Sequence, residues 1–179
     1  MANGRVFTIG YGNHSRAEVL QQLSRVEVSY LVDVRSAPYS RHQPDFSREP
    51  LELFLRDNGV RYVFMGDLLG GRPKDDECYT DGKVDYTKTR AKDFFVRGIA
   101  RLKSAYEQGF NICLLCSEGQ PSQCHRAKLV GTALADEGID VLHLLPDGSR
   151  RTQAEVIAEL TNGQGSLLAE HFVSRKAYR

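Results

Sequence analysis

The chain has 179 residues, 41% hydrophobic and 26% charged, with a formal net charge of +1. That length fits one domain with a single sizeable core, and the near-zero charge excludes a broad, non-specific nucleic-acid surface while leaving room for a local basic cleft. No apolar run approaches the ~20 residues of a membrane span, the opening MANGRVFTIG has no signal-peptide core, and four cysteines are too few for a disulfide framework, so free thiols in a cytoplasmic setting are expected.

Along the chain, strand-like and helix-like patterns alternate. Residues 6–9 read as a short strand ending in Gly10-Tyr11-Gly12. Ser15-Arg16-Ala17-Glu18 is a capping box, followed by Val19, Leu20, Leu23 and Val26 at helical spacing. Residues 30–35 predict a second strand. After a loop with Pro38 and Pro44, Ser47 is placed to cap a helix that Gly59 stops. Residues 60–64 predict a third strand. Residues 65–88 have no clear period, and a loop of that length is often functional, such as a lid. A helix is expected over residues 89–108 and a fourth strand over 111–116. The next helix starts near Gln123, with Ser122 as its cap and Ala127, Val130, Gly131 and Leu134 as its apolar stripe. Residues 141–145 predict a fifth strand, and Thr152-Gln153-Ala154-Glu155 is a second capping box. From residue 162 the chain reads as a tail or docking helix, with Leu167, Leu168 and Phe172 as a small apolar face that contributes little to any site.

This alternation predicts a three-layer α/β/α fold with a mostly parallel sheet of about five strands, in one domain over residues 1–161. Ligands of such sheets bind outside the carboxyl ends of the strands. Those ends carry Tyr11, Gly12, Asn13 and His14; Asp33, Arg35 and Ser36; Met65, Gly66 and Asp67; Cys116, Ser117 and Glu118; and His143.

The segment LLCSEGQPSQCHRAK concentrates the chemistry. Cys116 ends a strand and is either a nucleophile with a lowered pKa or a small buried hydrophobe. Cys124 lies on the edge of the apolar stripe, which packing explains. Arg126 in a first helical turn either accompanies a bound anion or pairs with Glu118 or Asp33. Cys-x7-Cys-His lacks the tight pairs of a zinc knuckle or ribbon, so no metal is expected, and no other cofactor is indicated. The Cys-x5-Arg loop of cysteine phosphatases is absent, since Pro121 and Ser122 stand there. In DVRSAPYSRH, Arg35, Ser36, Ser40, Arg41 and His42 supply donors for a phosphate or carboxylate, or else Arg35 is fixed by Asp33. In LGGRP, Gly70 and Gly71 allow close backbone approach to a ligand beside Arg72, or form a tight turn.

In order and spacing, TIGYGNHS, DVRSAPYS, GVRYVFMGDLLGG and LLCSEGQPSQCHRAKL resemble the domain-of-unknown-function 488 family of prokaryotic proteins, over about residues 7–143. Arg35, Gly70, Gly71, Cys116, Glu118, Cys124, His125 and Arg126 match the family motifs. The resemblance brings no established activity. In the opening motif Tyr11-Gly12-Asn13 stand before His14-Ser15, where the family commonly has Ser or Thr close after the glycine.

The functional expectation is an anion-binding protein acting on a phosphate-bearing small molecule or a nucleotide. Arg126, Arg35 and a helix N-terminus form the expected cradle, and Cys116, Glu118 and His125 the chemistry. A nucleic-acid or nucleotide binding module without turnover is the alternative, with Arg35, Arg41, Arg72, Arg126, Arg150 and Arg151 along the backbone path. No membrane partner is expected, and a second copy of the chain is a candidate partner.

Overall fold

The computed structural model describes residues 2–162 and 172–179. Strand β1 (Val6–Gly10) leads to helix α1 (Arg16–Arg25), which opens on the predicted capping box: the Ser15 side chain accepts from the Glu18 N–H, and the Glu18 carboxylate accepts from the Ser15 N–H at 2.8 Å. Strand β2 (Tyr30–Asp33), helix α2 (Arg48–Asp57) and strand β3 (Arg61–Phe64) follow. Ser47 stands at the start of α2 without capping it; its hydroxyl instead accepts from the Ser40 N–H at 3.2 Å.

The segment expected to be a long loop has structure of its own. It holds the short helix α3 (Gly66–Leu69), strands β4 (Tyr79–Thr80) and β5 (Lys83–Asp85), and helix α4 (Tyr86–Arg90). The helix predicted over 89–108 is therefore two. Helix α5 (Asp93–Glu107) starts after a break at Ala91 and Lys92. Strand β6 (Ile112–Cys116) precedes a turn and a π-helical segment (Arg126–Gly131) that continues as α6 (Thr132–Asp136). Strands β7 (Val141–Leu144) and β8 (Arg150–Thr152) lead into α7 (Gln153–Leu160), opened by the second predicted capping box at Thr152. Strand β9 (Val173–Ala177) ends the chain.

All five predicted strands join one six-stranded sheet of order β3-β2-β6-β1-β7-β8. The first five are parallel, and β8 adds an antiparallel edge. Successive residues of each strand face opposite layers. Phe7, Ile9, Leu31, Cys113 and Leu115 pack with Val19 and Leu23 of α1 and Leu51 and Leu55 of α2. Val6, Val32, Ile112 and Leu114 pack with Phe95, Ile99 and Leu102 of α5 and with Leu129, Val130 and Leu134 on the other face. The fold is thus a three-layer α/β/α arrangement. No helix among the described residues is long and apolar enough to cross a membrane.

A second sheet, β4-β5-β9, is antiparallel. It brings the chain terminus back onto the domain, and Phe172 packs against the core. Leu167 and Leu168, the rest of the predicted docking face, lie outside the described residues.

Candidate functional site

The chain winds from β1 to β2 and β3 on one side, then returns to place β6 between β1 and β2 and β7 beyond β1. This change of winding direction gathers three strand ends, with Gly10 directly opposite Cys116 and the end of β2 on the other side of β6. Gly10 is required there: a Cβ would stand 1.7 Å from the Glu118 carbonyl oxygen and 2.6 Å from an Arg126 nitrogen. Outside these ends lies a cleft of about 400 Å³, within the usual range for small-molecule sites.

Arg35 forms one wall. Its Nε and Nη2 donate to the two oxygens of Asp33 at 2.9 and 2.6 Å, and Tyr62 donates to the same carboxylate at 2.7 Å. Asp33 is fully buried and Arg35 only 6% exposed. The expected Asp33–Arg35 network therefore exists, and it fixes the guanidinium plane. It does not exhaust the donors: among the described residues, Arg35 Nη1 is buried without a hydrogen-bond partner. A buried cationic donor left over in this way is costly unless something completes it.

Cys116, Cys124 and His125 form the floor. Their two Sγ atoms and a ring nitrogen all lie within 4.8 Å of one another. His125 Nδ1 is 3.8 Å from the Cys116 sulfur and 3.7 Å from that of Cys124. Its Nε2 is 3.0 Å from the Val34 carbonyl oxygen. That oxygen can only accept, so Nε2 carries a proton and Nδ1 is the ring atom that faces both thiols. The hydrogen bond from Cys124 holds the Cys116 thiol well below its ordinary pKa against the opposing effect of burial, with help from His125 and the Arg126 charge. Cys124 is pushed the other way, by burial first and then by Cys116. Cys124 thus faces the site and not the sheet, contrary to its predicted packing role. The Arg126 N–H donates to its sulfur at 3.5 Å, so the helix start is occupied by a protein group. Gly71 backs the imidazole closely: a Cβ there would meet His125 Cγ at 2.7 Å.

Arg126 corrects the sequence expectation most sharply. It is fully buried, and all three guanidinium nitrogens are used. Nε donates to the Thr8 hydroxyl at 3.1 Å, Nη2 to the Gly119 carbonyl at 2.9 Å, and Nη1 to the Glu118 carbonyl. It clamps the turn after β6, with every guanidinium nitrogen engaged and the group shut off from the cleft. Its alternative partner, Glu118, is engaged through the backbone rather than the carboxylate. Behind it runs a directed chain of hydrogen bonds. The Thr8 hydroxyl and His143 Nδ1 are 2.7 Å apart, His143 Nε2 and Gln153 Oε1 are 2.8 Å apart, and Gln153 Nε2 donates to the Ala127 carbonyl at 2.9 Å. That carbonyl also accepts from the Thr132 N–H and, at 3.1 Å, from its hydroxyl, and Gly131 leaves room for Gln153, whose Oε1 a Cβ would meet at 2.4 Å. His143 is therefore a buried neutral link and not a cleft residue; burial lowers its pKa to about 4.

Of the predicted residues, Arg35, Ser36, Gly71, Arg72, Cys116, Glu118 and His125 line the cleft, while Ser40, Gly70 and Arg126 do not. Ser40 serves its own loop, accepting from the Gln43 N–H at 3.1 Å. Gly70 is a packing position, where a Cβ would stand 2.4 Å from Ser36 Oγ. Nor does Ser122 cap a helix: it sits in a 3₁₀ turn, and the helix begins at Arg126 without a side-chain cap. Tyr11, expected at the end of β1, lines the cleft too, along with residues that were not anticipated: Tyr39, Tyr86, and Ser174, Arg175, Lys176 and Tyr178 from the terminus. The last group answers the expectation that the tail contributes little. Its signal was the alternation in VSRKAY, too short and too polar to announce a strand. Arg175 reaches Gln123 Oε1 at 2.6 Å and the Glu118 carboxylate at 3.7 Å, tying the terminus to the turn after β6.

Among curated proteins and among solved structures, no significant match to the chain is found. A family model does match, over residues 15–133, about two-thirds of the chain and including every cleft residue from Arg35 to His125. The chain belongs to the family described as domain of unknown function DUF488.

Proposed function

We propose that the cleft binds a phosphate-bearing small molecule or a nucleotide and acts on it, with Arg35 as the anchoring charge. The observation that carries this reading is the buried, unpartnered Nη1 of a guanidinium whose other side is locked to Asp33. Such a group offers a rigid, desolvated, charge-assisted donor at little further entropic cost. Arg72, Arg175 and Lys176 add positive charge around the same cleft, and its size suits a metabolite better than a polymer. Cys116, His125 and Glu118 line it as well and are the groups available for chemistry.

The nucleic-acid alternative draws less support. Two of its six arginines are committed elsewhere: Arg126 is buried, and Arg151 is paired with Glu159.

The test is a calorimetric and thermal-shift screen of inorganic phosphate, phosphorylated metabolites and nucleotides against wild type and Arg35→Lys. Lysine keeps a cation for Asp33 and removes the free Nη1. The expected loss is about 1.5–3 kcal/mol, on the order of 10- to 100-fold in affinity. Equal binding by both proteins would overturn the assignment of Arg35, and oligonucleotide binding with a steep salt dependence in place of small-anion binding would favour the alternative.

A further inference from the structure

We infer that Cys116, Cys124 and His125 form a binding site for a borderline-soft divalent metal, zinc above all, with a fourth coordination position open to the cleft. The eight-residue separation that argued against a metal in the sequence is closed by the fold. The turn after β6 brings the end of the strand and the start of the π-helical segment together, so the three ligand atoms lie within 4.8 Å.

The distances have a particular meaning. In a tetrahedral site with zinc–sulfur bonds of about 2.3 Å and zinc–nitrogen bonds of about 2.0–2.1 Å, sulfur and nitrogen stand about 3.6 Å apart. The observed separations are 3.8 and 3.7 Å, and both involve the same nitrogen. These are too long for strong hydrogen bonds and close to what two ligand pairs sharing one ion require. The imidazole is also held as a metal ligand is held. Nε2–H is fixed by the Val34 carbonyl at 3.0 Å, which orients the ring and leaves Nδ1 as the atom available to a metal. Gly71 allows no side chain between that ring and its own loop.

Two thiolates and a neutral imidazole neutralise a divalent ion. The thiol protons leave to solvent as the metal–sulfur bonds form. A neutral core can then accept an anionic oxygen at its fourth position, and Arg35 and the buried Arg126 supply the balancing charge nearby. Three protein ligands with one open position is the arrangement of catalytic zinc rather than structural zinc. In this respect the inference deepens the reading of the cleft as an anion site: the ligand's oxygen would meet the metal while Arg35 holds its charge.

The experiment is a cobalt(II) titration of chelator-treated, full-length protein under a non-thiol reductant, with zinc as competitor. The expected result is one cobalt per chain, a thiolate-to-cobalt charge-transfer band, the intense visible bands of a tetrahedral ion, and their loss on adding zinc. Cys116→Ser, Cys124→Ser and His125→Ala should each weaken binding more than about 100-fold, beyond the roughly 10- to 100-fold of an outer-shell change. Cys78→Ser should leave it unchanged. A folded wild type with no charge-transfer band overturns the proposal, as does cobalt binding that survives both cysteine substitutions; if the variants do not fold, the wild-type spectrum decides. Phosphate titration of the metal-free protein separates the two claims. Phosphate binding without cobalt binding sinks the metal and spares the anion cleft. Cobalt binding without phosphate binding in either the metal-free or the loaded protein does the reverse. Arg35→Lys should lose phosphate and keep the cobalt spectrum.

Discussion

Arg35 and Arg126 invite comparison. Both stand near the carboxyl ends of central strands, both are buried, and both looked from the sequence like anion holders. They differ in how their donors are used. Arg126 gives all three nitrogens to Thr8 and to the Glu118 and Gly119 carbonyls. Arg35 gives two to Asp33 and keeps Nη1 without a partner. Position at a strand end does not by itself single out an arginine as a ligand residue; on the proposed reading, a guanidinium nitrogen left without a partner beside the cleft does.

The comparison can be broken by substitution. Arg126→Met should destabilise the protein by about 2–4 kcal/mol in urea unfolding, because buried acceptors lose their donors at roughly 1–3 kcal/mol each. Arg35→Lys should change stability far less than that. If the two variants are equally stable, the structural role assigned to Arg126 is wrong.

The network behind Arg126 carries a pH signature of similar size. His143 has its pKa lowered from 6.5 to about 4 by burial, so the folded state favours the neutral ring. Its contribution is fully present above pH 6.5 and is lost as the pH falls from there toward 4, up to about 3 kcal/mol. Unfolding free energies between pH 4 and 7 should show this decline in wild type and a shallower one in His143→Gln. Parallel curves would remove His143 as the cause.

How much of this was legible follows the same division. Strands β1, β2, β6 and β7 could be read because each is a mostly apolar run with buried positions on both faces, whereas β3, an edge strand with no buried residue, was legible from the strand-favouring Tyr62, Val63 and Phe64. The two capping boxes were legible because their partners lie three residues apart. Arg35 and Asp33 were legible for the same reason, at two residues' distance. The role of Arg126 was not: its partners are 118 residues away at Thr8 and in a backbone turn, where acceptor groups carry no sequence identity. Cys124 was misassigned because the helix was started three residues too early. A π turn with His125 at its start rotates the sulfur toward Cys116, and no hydrophobic period announces that. Strands β4 and β5 are two and three residues long, and β5 pairs with β9 about ninety residues later, so neither had a local signal.

Two smaller effects sharpen the contrast between wall and rim. Gly71→Ala forces a methyl group toward the His125 ring, and should cost about 1–3 kcal/mol while shifting the His125 ring-nitrogen NMR signals. Unchanged signals would show that the ring has room. Arg175→Ala and Lys176→Ala remove exposed charges and should each weaken phosphate binding by less than about 1 kcal/mol, an effect that fades with added salt. A larger, salt-independent loss would move the anchor from Arg35 to the terminus.

The most direct measurement is a high-resolution crystal structure grown from phosphate. The account predicts a tetrahedral anion in the cleft within hydrogen-bond distance of Arg35 Nη1, with Arg126 still bound to Thr8 and the turn carbonyls. An anion held elsewhere in the cleft while Nη1 remains unpartnered, or held by Arg126, would contradict it.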